Sequence, residues 1–426
     1  MKPMKILTIS NYFPYPPQDG TRIQIFQRIR YLSENHSVTL LCVLDEIPEA
    51  ALVEELRQYC QVKIMLRPKV QLSEGAWQRA VNFFGSYVSG IPYYFTEAMS
   101  IEACLWIRDQ QELQKFDMVE ADIEAGLYLC DAMDAFKVWV LHSVSDANEE
   151  RRLRVVQGWI DRFLIRSYRG IIRRFERHVA RRVDMVAVLT PENVVEMKRI
   201  DPAITVSNCL TNGVDLEYFS FEPPAAHAEG VCFVGSMVYH PNPDAVLHFY
   251  QDVWPAVRRQ VPSAKFVVVG SKPTNEVVEL AQDPSVEVTG FVDDVRPLIR
   301  KAGVAVAPLR MGGGILNKVL EAMAMGVPIV ASSIAVHGLA VESGVHLFIA
   351  DDDAEFAAAV KRLLIEPELR ARIAANARLY VETSHQWRVI IQRYEAEVGG
   401  AVARRQLEPA TDRSSVLVGD VTEYGR

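Results

Sequence analysis

Short apolar runs recur along the chain, each followed by glycine or proline and then by residues with helical spacing. Lys5-Ile-Leu-Thr-Ile-Ser10 is the first, interrupted after Ser10 by Pro14, Pro16, Pro17 and Gly20. From Thr21 to Ser33 the apolar residues Ile25, Ile29 and Leu32 fall on one helical face. Val38 to Leu44 is again strand-like. Strand, glycine-containing loop, helix and strand open a βαβ unit. The stretch from Glu74 to Phe95 is aromatic-rich, broken by Gly85, Gly90 and Pro92, and has no clear period. Beyond it, Asp117 to Glu120, Val138 to Leu141 and Asp184 to Leu189 read as short buried strands. The alternation ends at the turn signal Asn212-Gly213.

A Pro/Ala/Gly segment from Phe221 to Gly230 is the expected linker. The second half is cleaner. Strands are predicted at Gly230 to Gly235, Lys265 to Gly270, Val286 to Gly290, Val304 to Pro308 and Pro328 to Ser332, with helices between them. Near-continuous apolar strands alternating with helices predict a parallel sheet covered on both faces. Pro367 to Tyr380 reads as a helix with proline in its first turn, and Trp387 to Val398 as another. From Gly399 to Arg426 the chain is polar and aperiodic, which predicts a disordered tail.

At 426 residues the chain suits two domains rather than one. A net charge of −8 argues against a general nucleic-acid binder. The six cysteines are scattered without a C-x-x-C pair, so neither a disulfide framework nor a zinc site is expected, and a reducing compartment fits. No apolar run is long enough for a signal-peptide core or a membrane span, and the expected location is cytoplasmic.

The chemistry concentrates after the strand Val304 to Pro308. Leu309-Arg310-Met311 and then Gly312, Gly313 and Gly314 lead into a helix predicted from about Ile315 to Met325, stopped by Gly326 and Pro328. Glycines before a helix let backbone approach a ligand, and the first-turn N–H groups with the helix dipole favour an anion. Asn317, Lys318 and Glu321 share one face at spacings of three and four, while Val319, Ala322 and Met323 form the buried side. Lys318 can neutralise a diphosphate as a point charge, Arg310 can offer a bidentate fork, and Glu321 can accept from two vicinal ribose hydroxyls. A solvated Lys318–Glu321 helix pair is the plainer alternative.

Glu321-Ala-Met-Ala-Met-Gly-Val-Pro328-Ile-Val-Ala331 resembles the second half of the signature of the family 4 glycosyltransferases. Thr211-Asn-Gly-Val-Asp215 with Phe219, Phe233-Val-Gly-Ser-Met237 with Pro241-Asn242, and Val288-Thr-Gly-Phe-Val292 extend the resemblance. Pro14-Tyr-Pro-Pro-x-x-Gly20 is similar to sugar transferases of exopolysaccharide clusters. The resemblance implies an α/β fold of GT-B architecture, two Rossmann-like domains whose parallel sheets face across a cleft. Residues 1–215 would bind acceptor, 216–380 nucleotide sugar, 381–398 would form a helix returning to the first domain, and 399–426 would be the tail. It further implies a retaining hexosyltransferase with neither metal nor cofactor, taking a UDP or GDP sugar as donor and a saccharide or lipid-linked acceptor. Gly235, Ser236, Gly290, the Gly312 to Gly314 loop, Ile315, Asn317 and Glu321 fall at donor-binding positions, and Arg310 and Lys318 would stabilise the leaving diphosphate. Two departures stand out. Gly313 replaces the first glutamate of the family pair, and Ser236 with Tyr239-His240 replaces the basic residues expected after Gly235.

In the first half, His142 follows a predicted strand at the position of the family's active-site histidine; a structural loop histidine is the alternative. Asp19, Gly20 and Thr21 form the first strand-to-helix turn and would meet the acceptor. Asp146, Asn148, His240, Asn242 and His337 are weaker candidates. Arg151 to Arg182 is basic and amphipathic, with arginines at near-helical spacing between Ile160, Phe163, Leu164, Tyr168, Ile171, Ile172 and Phe175. Such a helix can lie on an anionic membrane surface or simply present a solvated face. Rival readings are a nucleotide-sugar epimerase of the same architecture and a catalytically silent nucleotide-sugar-binding protein. An NAD-dependent oxidoreductase lacks its G-x-G-x-x-G after the first strand.

Overall fold

The protein is described here from a computed structural model. The structure describes residues 2–17, 19–67, 84–93, 95, 99–114, 116–130, 134–155, 158–312 and 315–407. Half of the aromatic-rich stretch from Glu74 to Phe95 (74–83 and 94), together with Gly313 and Gly314, lies outside them.

The chain forms two α/β units, residues 1–210 with 391–426 and residues 211–390. Residues 211–215 group with the second unit because the Val214 N–H donates to the His385 carbonyl (2.8 Å) and Val214 pairs with Gln386. The helix Trp387–Leu407 starts in the second unit and continues into the first.

The first unit is built on a seven-stranded parallel sheet in the order β3-β2-β1-β4-β5-β6-β7. Its strands are β1 (Lys5–Ser10), β2 (Ser37–Leu44), β3 (Gln61–Leu66), β4 (Met118–Asp122), β5 (Phe136–Leu141), β6 (Met185–Val188) and β7 (Val206–Ser207). The apolar runs predicted in this half are central strands, buried on both faces as crossover helices require. The unpredicted β3 is an edge strand whose residues are mostly exposed or half-buried, so it lacks an apolar run. The helix Gly20–Leu32 starts where Asp19 caps it, its carboxylate accepting from Arg22 N, and buries Ile25, Ile29 and Leu32. Trp139 and Tyr128 are fully buried in the core beside this sheet.

The second unit holds a six-stranded parallel sheet, β10-β9-β8-β11-β12-β13. Here β8 is Gly230–Val234, β9 Lys265–Val269, β10 Val286–Gly290, β11 Gly303–Ala307, β12 Ile329–Ala331 and β13 Phe348–Ile349. Phe249, Trp254, Phe266 and Phe356 pack as an aromatic cluster, with Phe249 and Phe266 centroids 4.8 Å apart. Such a pair contributes ~0.5–1.5 kcal/mol beyond its area. The helix Asn317–Met325 starts two residues after the expected Ile315 and ends at Gly326, in the left-handed region at φ 77°. Asp351 to Asp353 open the helix Asp353–Ile365, with the Asp352 carboxylate capping Ala354 and Glu355.

The expected tail from residue 399 needs correction. Helix continues to Leu407, because Val398 and Val402 are buried one turn apart and Arg405 donates to the Ala135 carbonyl (3.0 Å). Residues 408–426 lie outside the described residues.

Both sheets reverse strand order once, between β1 and β4 and between β8 and β11. At such a reversal the loops at the carboxyl ends diverge and leave a crevice where ligands bind. The two reversals single out the loops after Ser10, Asp122, Val234 and Ala307.

Candidate active site

In the second unit, Gly235 and Ser236 follow β8 and the loop 308–316 follows β11. Lys318, in the first turn of its helix, points its ammonium to this junction. Its Nζ donates to Asn242 Oδ1 (2.7 Å) and lies 4.0 Å from the centre of the Phe233 ring. Asn242 Nδ2 in turn donates to the Ser236 carbonyl (2.7 Å), so one carboxamide ties the lysine to the β8 loop. A Cβ at position 235 would lie 2.7 Å from both Lys318 Nζ and Asn242 Nδ2, and glycine leaves the space the ammonium uses. Gly312 has φ 124°, a conformation that disfavours a side chain, with Tyr239 packed beside it.

Burial drives Lys318 from 10.5 down to about 7, with the Glu321 carboxylate acting in the opposite direction. Burial likewise pushes Glu321 up to about 7, opposed by Lys318. The pair is therefore poised near neutrality: an arriving polyanion would restore the ammonium, and hydroxyl donors would favour the carboxylate.

Asn317 Oδ1 accepts from Asn212 Nδ2 (3.2 Å), and the same amino group reaches the Ile315 carbonyl (3.0 Å). Gly290, at φ 69°, accepts from the Gly270 amide (3.1 Å). Phe291, one residue further and 72% exposed, is an unsupported ring at the carboxyl edge of the same sheet. Arg310 is turned to Asp244 in a two-pronged pair of 3.1 and 2.5 Å and is half-exposed. Its fork is thus already occupied, whereas Lys318 is held at the strand-order reversal. His240 precedes the helix Pro241–His248, which carries Asn242.

In the first unit, His142 follows β5. Its Nδ1 is 3.4 Å from Thr21 Oγ1, so the structure joins two of the expected residues. Its Nε2 stands 3.8 Å from Asp122 Oδ1, within reach of charge attraction and beyond hydrogen-bond length. Asp19 is spent as the helix cap beside Gly20. Asp146 pairs with Arg169 (2.9 and 3.1 Å), and Asn148 bonds Ser143 and Arg151, which gives both structural partners.

Beneath His142 lies a buried ionic network. Arg28 Nε donates to Glu120 Oε1 (2.8 Å), its NH1 to Gln24 (2.6 Å), and its NH2 to both oxygens of Asp122 (2.8 and 2.7 Å). Thr8 and Tyr394 hydroxyls complete Glu120 (2.8 and 2.7 Å). Burial works against the charge on Asp122, but Arg28 and then His142 hold it below the usual carboxylate range. Glu124 differs. Burial raises it, and its Oε2 has no hydrogen-bond partner among the described residues. Between them Ile123 takes φ 40°, a strained conformation for a β-branched residue. The missed signal was Glu120 and Asp122 at alternate positions of a strand otherwise apolar, with Glu124 two residues beyond its end. Carboxylates with strand period on a buried strand need cations or ligands.

The arginines of the helix Trp159–Ala180 are largely engaged within their own unit. Arg173 and Arg177 donate to the carbonyls of Arg199 and Ile200, and Arg169 pairs with Asp146. Trp159, Phe163 and Leu164 at its start are exposed, beside exposed Arg166.

Two parallel sheets, each with one order reversal and a loop crevice, match solved structures over almost the whole chain. The fold is GT-B. Sucrose-phosphate synthase from Thermosynechococcus elongatus superposes with a TM-score of 0.67 at 16% identity, covering 94% of this chain and 100% of that one. HepE of Anabaena, solved with UDP and glucose, gives 0.62 at 16% identity, covering 93% and 100%. Within this GT-B chain, residues 228–366 match the family model described as Glycosyl transferases group 1. An uncharacterised 44.6 kDa protein of the cps region of Klebsiella pneumoniae is 19% identical over 89% of this chain and 96% of its own length. A glycosyltransferase 1 domain-containing protein of Xenopus tropicalis is 29% identical over 24% of this chain, which spans 29% of that relative's length. No helix among the described residues is long and apolar enough to cross a membrane.

Proposed function

We propose that the protein is a retaining glycosyltransferase that moves a sugar from a nucleoside-diphosphate sugar to a saccharide or lipid-linked acceptor in surface or exopolysaccharide synthesis. The observation that carries this reading is the Lys318–Glu321–Asn242 cluster at the strand-order reversal of the second unit, between two glycine loops. Lys318 and the backbone around Gly312 to Ile315 take the diphosphate. Glu321 takes the ribose hydroxyls, and Phe291 offers a flat apolar face to the base. As the glycosidic bond breaks, positive charge spreads over the anomeric carbon and ring oxygen while negative charge collects on the diphosphate. A preorganised ammonium aimed at that diphosphate lowers the barrier. Arg310 joins only by exchanging Asp244 for phosphate. Support for a uridine nucleotide comes from the HepE structure; GDP is the second candidate.

In the first unit, His142, Thr21 and Glu124 line the loops that would receive the acceptor. His142 orients hydroxyls, and the open oxygen of Glu124 accepts from one of them. Support for a lipid-linked acceptor comes from the exposed Trp159 and Phe163 beside Arg166, a basic-aromatic edge suited to an anionic membrane's inner face.

Thermal-shift screening against UDP, GDP, TDP and CMP sugars tests the donor assignment. One nucleotide class should raise the unfolding midpoint, with sugar loss from that donor depending on an acceptor. Conversion of the donor without acceptor would favour the epimerase, and no response to any nucleotide sinks the reading. Sedimentation with anionic and neutral vesicles tests the membrane edge, with Trp159→Ser expected to release the protein.

A further inference from the structure

The helix Asn317–Met325 has no side-chain cap of its own: the residue at its cap position is Leu316. A serine or aspartate there would consume first-turn N–H groups. Something else must hold the loop in place. The Asn212 amino group reaches the Ile315 carbonyl (3.0 Å) and Asn317 Oδ1 (3.2 Å), restraining the loop through its acceptors without drawing on its N–H groups, of which Val319 N–H donates to the Leu316 carbonyl (3.0 Å).

Asn212 is itself held by a chain whose direction follows from chemistry. The Asn212 carbonyl can only accept, so His385 Nδ1, 2.8 Å away, carries the proton. In the neutral imidazole Nε2 then accepts, and the Tyr380 hydroxyl at 3.0 Å donates to it. The Tyr380 oxygen is left to accept from the Ala340 amide (3.0 Å). Asn212 and His385 are buried, and the backbones lock alongside: Val214 N donates to the His385 carbonyl, and a Cβ on Gly213 would lie 2.7 Å from the Trp387 ring.

We propose that Asn212 is the positioning residue of the donor loop, and that Tyr380, by donating to Nε2 and so holding the His385 ring in place, keeps Asn212 aimed at it. The role rests on the donor-site reading above. Asn212→Asp turns an acceptor toward two acceptors. Losing two hydrogen bonds of ordinary strength should weaken UDP (or GDP) binding on the order of tenfold or more. Amide hydrogen exchange in the segment 315–319 should quicken by a similar factor, while exchange in the helix Pro367–Ser384 stays as in the wild type. In ¹⁵N-histidine spectra His385 should show the Nδ1–H tautomer, and Tyr380→Phe should keep that tautomer, shift the Nε2 resonance as its donor is lost, and weaken binding in the same direction but less. If Asn212→Asp fails to fold, Asn317→Ala removes half of the contact and should show the same selective quickening. Unchanged exchange at 315–319 with unchanged nucleotide affinity overturns the positioning role while leaving the donor site intact. A wild type that binds neither UDP nor GDP overturns the donor-site reading and this role with it.

Discussion

Replacing Lys318 by methionine should separate ligand binding from stability. Burial disfavours the ammonium. A fall from 10.5 to about 7, at ~1.4 kcal/mol per unit, makes its charged form about 5 kcal/mol less favourable than in water. Methionine keeps the stem and removes that penalty, at the loss of the bond to Asn242 and the contact with Phe233. Those two losses offset most of the relieved penalty, and Glu321, which burial raises to about 7, can turn neutral, so the net stability change at neutral pH should stay within about 1–2 kcal/mol. Binding should respond very differently. Removing this cation should cost about 2–5 kcal/mol against a diphosphate, at least ~30-fold in affinity. Titration calorimetry with UDP or GDP, beside urea unfolding, measures both. The pH dependence sharpens the test. Bound diphosphate lifts Lys318 above about 7, so wild-type binding takes up a proton between about pH 7 and 10 and weakens as pH rises there. Hydroxyl donors on Glu321 lower it from about 7, so binding strengthens as pH climbs toward neutrality from below. Lys318→Met should abolish the alkaline limb. A variant that binds nucleotide within threefold of wild type, with the alkaline limb intact, would refute the reasoning.

Arg28→Leu leaves Glu120 and Asp122 buried without their cation and should cost ~3–5 kcal/mol in denaturant unfolding; a loss under ~1 kcal/mol would show that the network relaxes. Glu124→Gln should reduce transfer at least ~10-fold, the scale of lost acid–base assistance, while nucleotide affinity in calorimetry stays unchanged; a parallel loss of nucleotide binding would contradict the acceptor assignment. Phe291→Ala should weaken nucleotide binding by ~1–3 kcal/mol if the ring stacks on the base, and the loss should be absent for inorganic pyrophosphate.

How legible a part was depended on whether burial left a mark in the local sequence. Central strands such as Lys265–Val269 are apolar because helices cover both faces, and they stand out in the sequence. Edge strands do not: β3 alternates toward solvent, and β13 is two half-buried residues. The helix past residue 399 was hidden because Gly399 and Gly400, poor helix formers, stand between its buried positions Val398 and Val402, and only tertiary packing overrides them. In the site, Lys318 and Glu321 were readable from three- and four-residue spacing. Arg310 looked equally suitable, since nothing local says that Asp244, 66 positions earlier, occupies its fork. The Arg28 network was illegible for the same reason: its partners lie 92 and 94 residues away.

The pairing of Val214 with Gln386 has an engineering consequence. The chain enters and leaves residues 211–390 through two segments already hydrogen-bonded to each other. That whole stretch is thus spliced into its host polypeptide as a cassette with abutting ends. Exchanging it for the matching cassette of a relative requires two junctions at one place and no linker, and under the function proposed above donor choice would travel with it while the host keeps Tyr394 on its Glu120.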